Sequence, residues 1–253
     1  MRKITSLLLV VVLVFSTMLL TSCENAQSLI TKATEKTQKL DSYKAELEME
    51  VVTSAQGMTL EIPMTIDMKV KGAQTDSPVV SATIAMSMFG QTFDIDMYAE
   101  DEWIYMSSNG ENVKMSADDA DGEYDYTDDI QSMIKDLPKD VLKDAEIVKN
   151  DDGSKTVALD LASDVFEDVY DDLIKSVNDS SDTEASNVEI SDAKVKITVA
   201  DGYISVYDIS FDMDITVSEI ETSSSVKCTV TFKDPGKDVE IAPPEGYKNF
   251  KEA

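Results

Sequence analysis

The sequence contains no histidine. That absence removes Ser-His-Asp and Cys-His nucleophilic catalysis, histidine zinc sites and haem ligation by histidine. Positive charge is scarce: 22 Lys and Arg stand against 50 Asp and Glu, for a net charge of −28. Phosphate backbones need a basic surface, so nucleic acid is excluded as a partner. An anionic membrane surface would also repel such a body. Neither a G-x-S-x-G elbow nor a P-loop occurs. There are two cysteines, Cys23 and Cys228.

What is present begins at the N-terminus. Arg2 and Lys3 give a positive start, and an apolar run from Leu7 to Leu20 follows, broken only by Ser16 and Thr17. A comfortable membrane span needs about 20 residues, so this shorter run reads as the h-region of a secretory signal. It ends in Leu20-Thr21-Ser22-Cys23, which resembles the lipobox of bacterial lipoproteins. In that class the cysteine sulfur receives a diacylglyceryl group, with palmitate-type acyl chains, and becomes the mature N-terminus. The expectation is a signal peptide over 1–22 and one mature domain over 23–253, lipidated at Cys23 and held at the extracytoplasmic face of the cell membrane. Losing Arg2 and Lys3 takes the net charge from −28 to −30, so the lipid and not electrostatics must hold the bilayer. Cys228 then has no partner for a disulfide, and its place on the apolar phase of an alternating segment predicts an inert, buried thiol.

Along the mature chain, Leu29, Ile30, Ala33, Thr37 and Leu40 fall on one helical face, predicting a helix over Ala26–Leu40. The period then switches to two. Strands are predicted through Tyr43–Val51, Met58–Val70, Val80–Met88, Phe93–Ala99, Trp103–Met106 and Asn112–Met115. Strict alternation means one buried and one wet face, the signature of antiparallel sheets. Pro63 lacks an amide donor and predicts an edge or a bulge in its strand. The acidic stretch Ala117–Asp129 reads as a surface loop, with short helical pieces over Ile130–Leu137 and Lys139–Asp144 after it. Two strands flank Asp151-Asp152-Gly153. Phe166, Val169, Tyr170, Leu173, Ile174 and Val177 form one helical stripe. After a polar loop over Asn178–Ser186, three long strands close the chain. The first changes phase between Ile190 and Ala193, and Asp201-Gly202 turns it into the second. Pro235, Pro243 and Pro244 mark an irregular tail.

The order of these elements is similar to the LolA/LppX-like lipoproteins and to poorly characterised Firmicute lipoproteins of that type. The resemblance rests on the helix running into Leu40-Asp41-Ser42-Tyr43, the strand Glu102-Trp103-Ile104-Tyr105-Met106 leading to Asn112-Val113-Lys114-Met115, the hairpin at Asp201-Gly202-Tyr203, and the final Val239-Glu240-Ile241-Ala242-Pro243. It implies an α+β fold: a curved, mostly antiparallel incomplete β-barrel of about eleven strands with helices packed on its concave face. It also implies that lipids or acyl chains are carried between sheet and helices, without catalytic residues.

Methionine supplies the candidate lining. Met49, Met64, Met68, Met86, Met88, Met97 and Met213, with Phe93, Ile95 and Phe211, share the apolar phase of their strands. Methionine is soft and adaptable, and suits a promiscuous apolar surface. The same residues would also serve as an ordinary core. The paired carboxylates Asp94/Asp96 and Asp212/Asp214 fall on the polar phase, whereas a general acid needs desolvation. An EF-hand-type loop around Gly122 would place Ala117 at its first ligand position, which cannot bind calcium. The expectation is therefore a non-enzymatic lipoprotein without cofactor or metal that binds a lipid or other apolar ligand. The alternative is a structural or protein-interaction lipoprotein of the cell envelope.

Overall fold

A computed structural model describes residues 25–117, 142, 145–161, 185–217 and 220–252. Among them are one α-helix, α1 (Ala26–Thr37), and twelve strands: β1 (Ser42–Ala55), β2 (Met58–Lys71), β3 (Val79–Met88), β4 (Gln91–Glu100), β5 (Trp103–Ser108), β6 (Glu111–Ser116), β7 (Ile147–Lys149), β8 (Lys155–Asp160), β9 (Ala185–Ala200), β10 (Tyr203–Val217), β11 (Ile220–Lys233) and β12 (Lys251–Glu252). They form one sheet in the order β12-β6-β5-β4-β3-β2-β1-β11-β10-β9-β8-β7. The sheet is open, with β12 and β7 at its edges. Every pairing is antiparallel except β12 on β6.

Local chemistry explains why these elements form. Four hairpins turn on a residue followed by glycine, both at positive φ: Gln56-Gly57, Phe89-Gly90, Asn109-Gly110 and Asp201-Gly202. Two residues in that conformation make the type I′ turn, whose twist matches that of the paired strands. The phase change in β9 is a bulge: its register against β10 shifts between Ser210 and Asp212, and Asp192 has φ +50°. One extra residue there returns Ala193 to the buried side occupied by Ile190. Pro63 sits opposite Glu50 without interrupting the β1–β2 register. β2 is interior in the strand order, but its pairing with β3 begins only at Met64. Pro63 therefore starts the stretch of β2 that has no β3 partner, so the expected edge is local and no bulge is needed.

α1 is shorter than the expected Ala26–Leu40. Asn25 caps it by accepting a hydrogen bond from the Ser28 amide at 2.8 Å. Its C-terminal end is fastened to the sheet: the Lys36 ammonium donates to the Asp201 carbonyl at 2.7 Å and lies 3.8 Å from the centre of the Tyr203 ring. The Thr37 hydroxyl accepts from the Ile204 amide at 3.0 Å, beside a register shift in β10. Ala26, Leu29, Ile30 and Ala33 are buried against β9 and β10. They join Val157, Leu159, Ile190, Val195, Ile197, Val199, Ile204, Tyr207 and Val230 in the main core, where Val157 and Ile197 are wholly buried. Leu142, helical and buried, belongs to the same core. A smaller cluster of Leu40, Tyr43, Ala45 and Val70 closes the start of β1.

The expected strand count of about eleven becomes twelve because the two-residue β12 escapes any periodicity argument. Of the expected helices, α1 is described in full and covers β9 and β10, and Leu142, within the helix expected over Lys139–Asp144, is helical. The helices expected over Ile130–Leu137 and through Phe166–Val177 lie outside the described residues, as do the signal segment, Cys23 and nearly all of the acidic loop. The tail does more than end the chain. From Asp234 it passes Lys69, Lys71 and Ser81 on the polar face of β2 and β3, covers Tyr98 and Tyr105 with Tyr247 and Phe250, and adds β12 beside β6.

Candidate functional site: an apolar sheet face

Residues directly opposite each other in a sheet share a face, and neighbouring strands lie about 4.8 Å apart. The register therefore assembles the candidate lining into rows. One row reads Cys228, Met49, Met64, Met86 and Phe93 across β11, β1, β2, β3 and β4. The next reads Val230, Leu47, Ile66, Ile84 and Ile95. A third reads Phe232, Ala45, Met68, Ala82, Met97 and Met106. Phe211 lies opposite Val226, and Met213 opposite Ser224. Met88 closes β3 opposite Gln91. All ten candidate residues lie on one continuous face.

Burial divides them. Phe211 and Met213 pack against the main core, and Met68 packs against the smaller cluster. Met49, Met64, Met86, Met88, Phe93, Ile95 and Met97 belong to neither cluster, and each is only half-buried. The face is thus covered where α1 crosses β9 and β10 and exposed to partial contact over β1 to β4. Tyr207 marks the covered side, where burial pushes its phenol up to about 12. Cys228 lies between the two regimes. It is half-buried and free, and its thiol is pushed above the ordinary value by burial and then by the nearby Asp208 carboxylate. Both influences disfavour the thiolate and make this sulfur a poor nucleophile.

The opposite face is polar. On β1 it presents Lys44, Glu46, Glu48 and Glu50, with Lys233 paired to Glu46 and Lys227 to Glu50. Asp94, Asp96, Asp212 and Asp214 are exposed there, and Asp96 accepts from the Thr83 hydroxyl at 2.9 Å. A cleft of about 530 Å³ on this face is lined by Lys69, Lys71, Ser81, Glu240, Ile241 and Ala242. It lies under the tail and shares no residue with the methionine rows. The Asp152 carboxylate accepts from the Ser154 amide and hydroxyl at 2.9 and 2.6 Å, which holds it below the ordinary carboxylate range. That turn is thereby explained as a capped hairpin. No group of three or more metal-ligating side chains occurs among the described residues, and no helix among them is long and apolar enough to cross a membrane.

Residues 25–249 match a family of unknown function (DUF6612), and the chain belongs to that family. No curated protein matches it. Among solved structures, LprF from Mycobacterium bovis is 12% identical, with 87% of this chain and 97% of that one covered at a TM-score of 0.41. A beta-barrel-like protein of a domain of unknown function (DUF1849) from Brucella abortus is 7% identical, with 77% and 100% covered and a TM-score of 0.25. A DUF1329 protein from Desulfovibrio piger ATCC 29098 is 8% identical, with 86% and 93% covered and a TM-score of 0.23.

Proposed function

We propose that this chain is a non-enzymatic lipoprotein, anchored through Cys23 at the extracytoplasmic face of the cell membrane, that holds a lipid or other apolar ligand against the methionine rows of its open sheet. The observation that carries this reading is the in-register apolar face over β1 to β4, with seven of its candidate residues outside either core cluster. An apolar surface of that continuity marks an interaction site more often than an idle one. Each ligand methylene buried on it would contribute about 0.8 kcal/mol. The Leu20-Thr21-Ser22-Cys23 tetrapeptide supports the anchor. The exposure of both carboxylate pairs supports binding over catalysis.

The alternative, docking of a protein partner by strand addition, draws less support. The outermost described strands are β12 with two residues and β7 with three, and short edge strands discourage pairing with another chain. The local edge of β2 at Met58–Pro63 carries a proline that cannot donate to an added strand.

The test is native mass spectrometry of the gently purified protein, joined to titration with a fluorescent fatty acid. Retained lipid, or saturable uptake of the probe, is expected. Apo protein that also ignores the probe would overturn the ligand reading. The anchor is tested separately by Cys23→Ser, which should move the protein from the detergent phase to the aqueous phase.

A further inference from the structure

We propose that the hairpin-tip end of the sheet, led by Phe89 and Met58, inserts into the interfacial layer of an electrically neutral lipid bilayer. This goes beyond ligand binding and requires no ligand on the methionine rows.

The topology sends the β1–β2, β3–β4 and β5–β6 turns to the same end of the sheet. Taking Met49, Met64, Met86 and Phe93 as one level, the β1–β2 turn overhangs the β3–β4 turn by four residues, and the β3–β4 turn overhangs the β5–β6 turn by four. That is a stagger of about 14 Å for every 10 Å of sheet width. Tilted strands in a barrel carry a stagger of this kind, which brings successive tips toward one level.

Four large apolar residues are exposed among the described residues. Phe89 at 80% and Met58 at 72% are the most exposed, and both sit at these turns. Phe89 is also out of place conformationally. Its φ of +53° is the left-handed region that bulky side chains avoid and Asn or Asp tolerate. The neighbouring β5–β6 hairpin puts Asn109 at the same turn position. A phenylalanine that is both strained and solvated gives the fold nothing, and such outliers point to function.

Charge is missing from the β1–β2 and β3–β4 hairpins at this end. Residues 51–60 and 77–93 contain no charged side chain, although 28% of the chain is charged. Counted from these two turns, charge first returns at Glu61 and Asp94, roughly 14 Å up each strand. Interfacial segments bury to about 5–10 Å. Hydroxyls within this depth are partnered internally: Ser54 with Thr59 and Ser87 with Thr92, both at 3.1 Å, and Thr53 with Ser224 at 3.0 Å. The patch is bounded on one side by the β10–β11 hairpin, which carries Glu221, and on the other by the β5–β6 hairpin, which carries exposed Glu111. Neutral lipid is the occupant that this chemistry fits, because anionic lipid would be repelled by the acidic body.

The native chain carries its own control. Trp103, the sole tryptophan, lies beside the Asp101-Glu102 turn at the opposite end of the sheet. The full chain is reconstituted with phosphatidylcholine vesicles containing depth-placed brominated lipid. Phe89→Trp and, separately, Met58→Trp should each add a blue-shifted component quenched at least twofold, while native Trp103 stays unquenched. If the chain floats with the vesicles but both new tryptophans remain unquenched, the tip proposal fails and the anchor stands. A chain that does not float defeats both. A blue shift that grows with protein concentration without lipid assigns the tips to a second copy and also overturns the proposal.

Discussion

Met64→Asp separates a binding face from a core. Met64 is half-buried, central in its row, and part of neither core cluster. Placing a carboxylate there should change folding stability by under about 1 kcal/mol, the range of substitutions away from packed interiors. Ligand binding should respond much more. A charged carboxylate in mid-row excludes the stretch of acyl chain that would otherwise lie on Met49, Met64 and Met86. If about four methylenes lose contact at about 0.8 kcal/mol each, affinity falls by about 3 kcal/mol, or roughly 200-fold. Met64→Leu, which keeps volume and polarity, should leave both quantities nearly unchanged. Titration with a fluorescent fatty acid reads the first quantity and urea unfolding the second. Two results would refute the reasoning. Equal affinity in Met64→Asp would show that the ligand does not lie on this row. A stability loss of about 2–5 kcal/mol, as for a buried methionine, would show that the row is core.

Ile197 is wholly buried in the main core, so Ile197→Ala should lower unfolding free energy by about 2–5 kcal/mol in the same urea assay, and a smaller loss would place the core elsewhere. Tyr207 governs part of the alkaline limb. Its phenol ionises near 12 in the folded chain against about 10 when unfolded. Its contribution is therefore complete below pH 10 and is lost as pH rises toward 12, by about 3 kcal/mol. Tyr207→Phe should show a shallower loss of stability between pH 10 and 12, and identical slopes would reject the assignment. Tyr247 meets Tyr98 and Tyr105 at centroid distances of 5.6 and 4.9 Å and donates to Glu100 at 3.3 Å. Tyr247→Ala should cost about 1–3 kcal/mol in edge-on ring contacts. It should also let the Tyr98 phenol, pushed up to about 12 by burial and then by the Glu100 carboxylate, titrate closer to 10. Tyrosinate absorbance read against pH would show whether it stays high.

Much of the sheet was legible because alternation is a local property. The phase of β1 to β4 identifies the face on which each side chain lies, and the register keeps that phase intact across all four strands. Even the β9 bulge is written in the chain, as the odd spacing between Ile190 and Ala193. Two things were not legible. Which part of the apolar face receives the helix depends on β11 returning beside β1, a long-range choice that leaves no local periodicity. Nor does the tail announce its course: prolines break any repeat, and its anchors Tyr247 and Phe250 are single aromatics whose partners lie far away in sequence. Phe89 falls between the expected strands Val80–Met88 and Phe93–Ala99, where no pattern marks it. Only its exposure and its left-handed backbone set it apart from the Asn109 turn beside it.

The distribution of residue types over the apolar face bears on what the methionines are for. Where α1 and the main core provide a fixed partner, the buried phase of β8 and β9 is Val157, Leu159, Ile190, Val195, Ile197 and Val199, with no methionine. Branched side chains have few rotamers and pack well against a surface that does not change. Over β1 to β4 the same phase carries Met49, Met58, Met64, Met68, Met86, Met88 and Met97. Both halves are antiparallel strands with one apolar face, so β-propensity does not account for the difference. It would even oppose it, since β-branched residues suit strands better. Flexible thioethers conform to a partner whose shape varies. Among the described residues the chain thus concentrates stiff side chains in β8 and β9, where its own helix covers the sheet, and most of its methionines over β1 to β4, with Met68 and Met213 at the margins of the two core clusters. That gradient is what the proposed surface for variable apolar ligands would use.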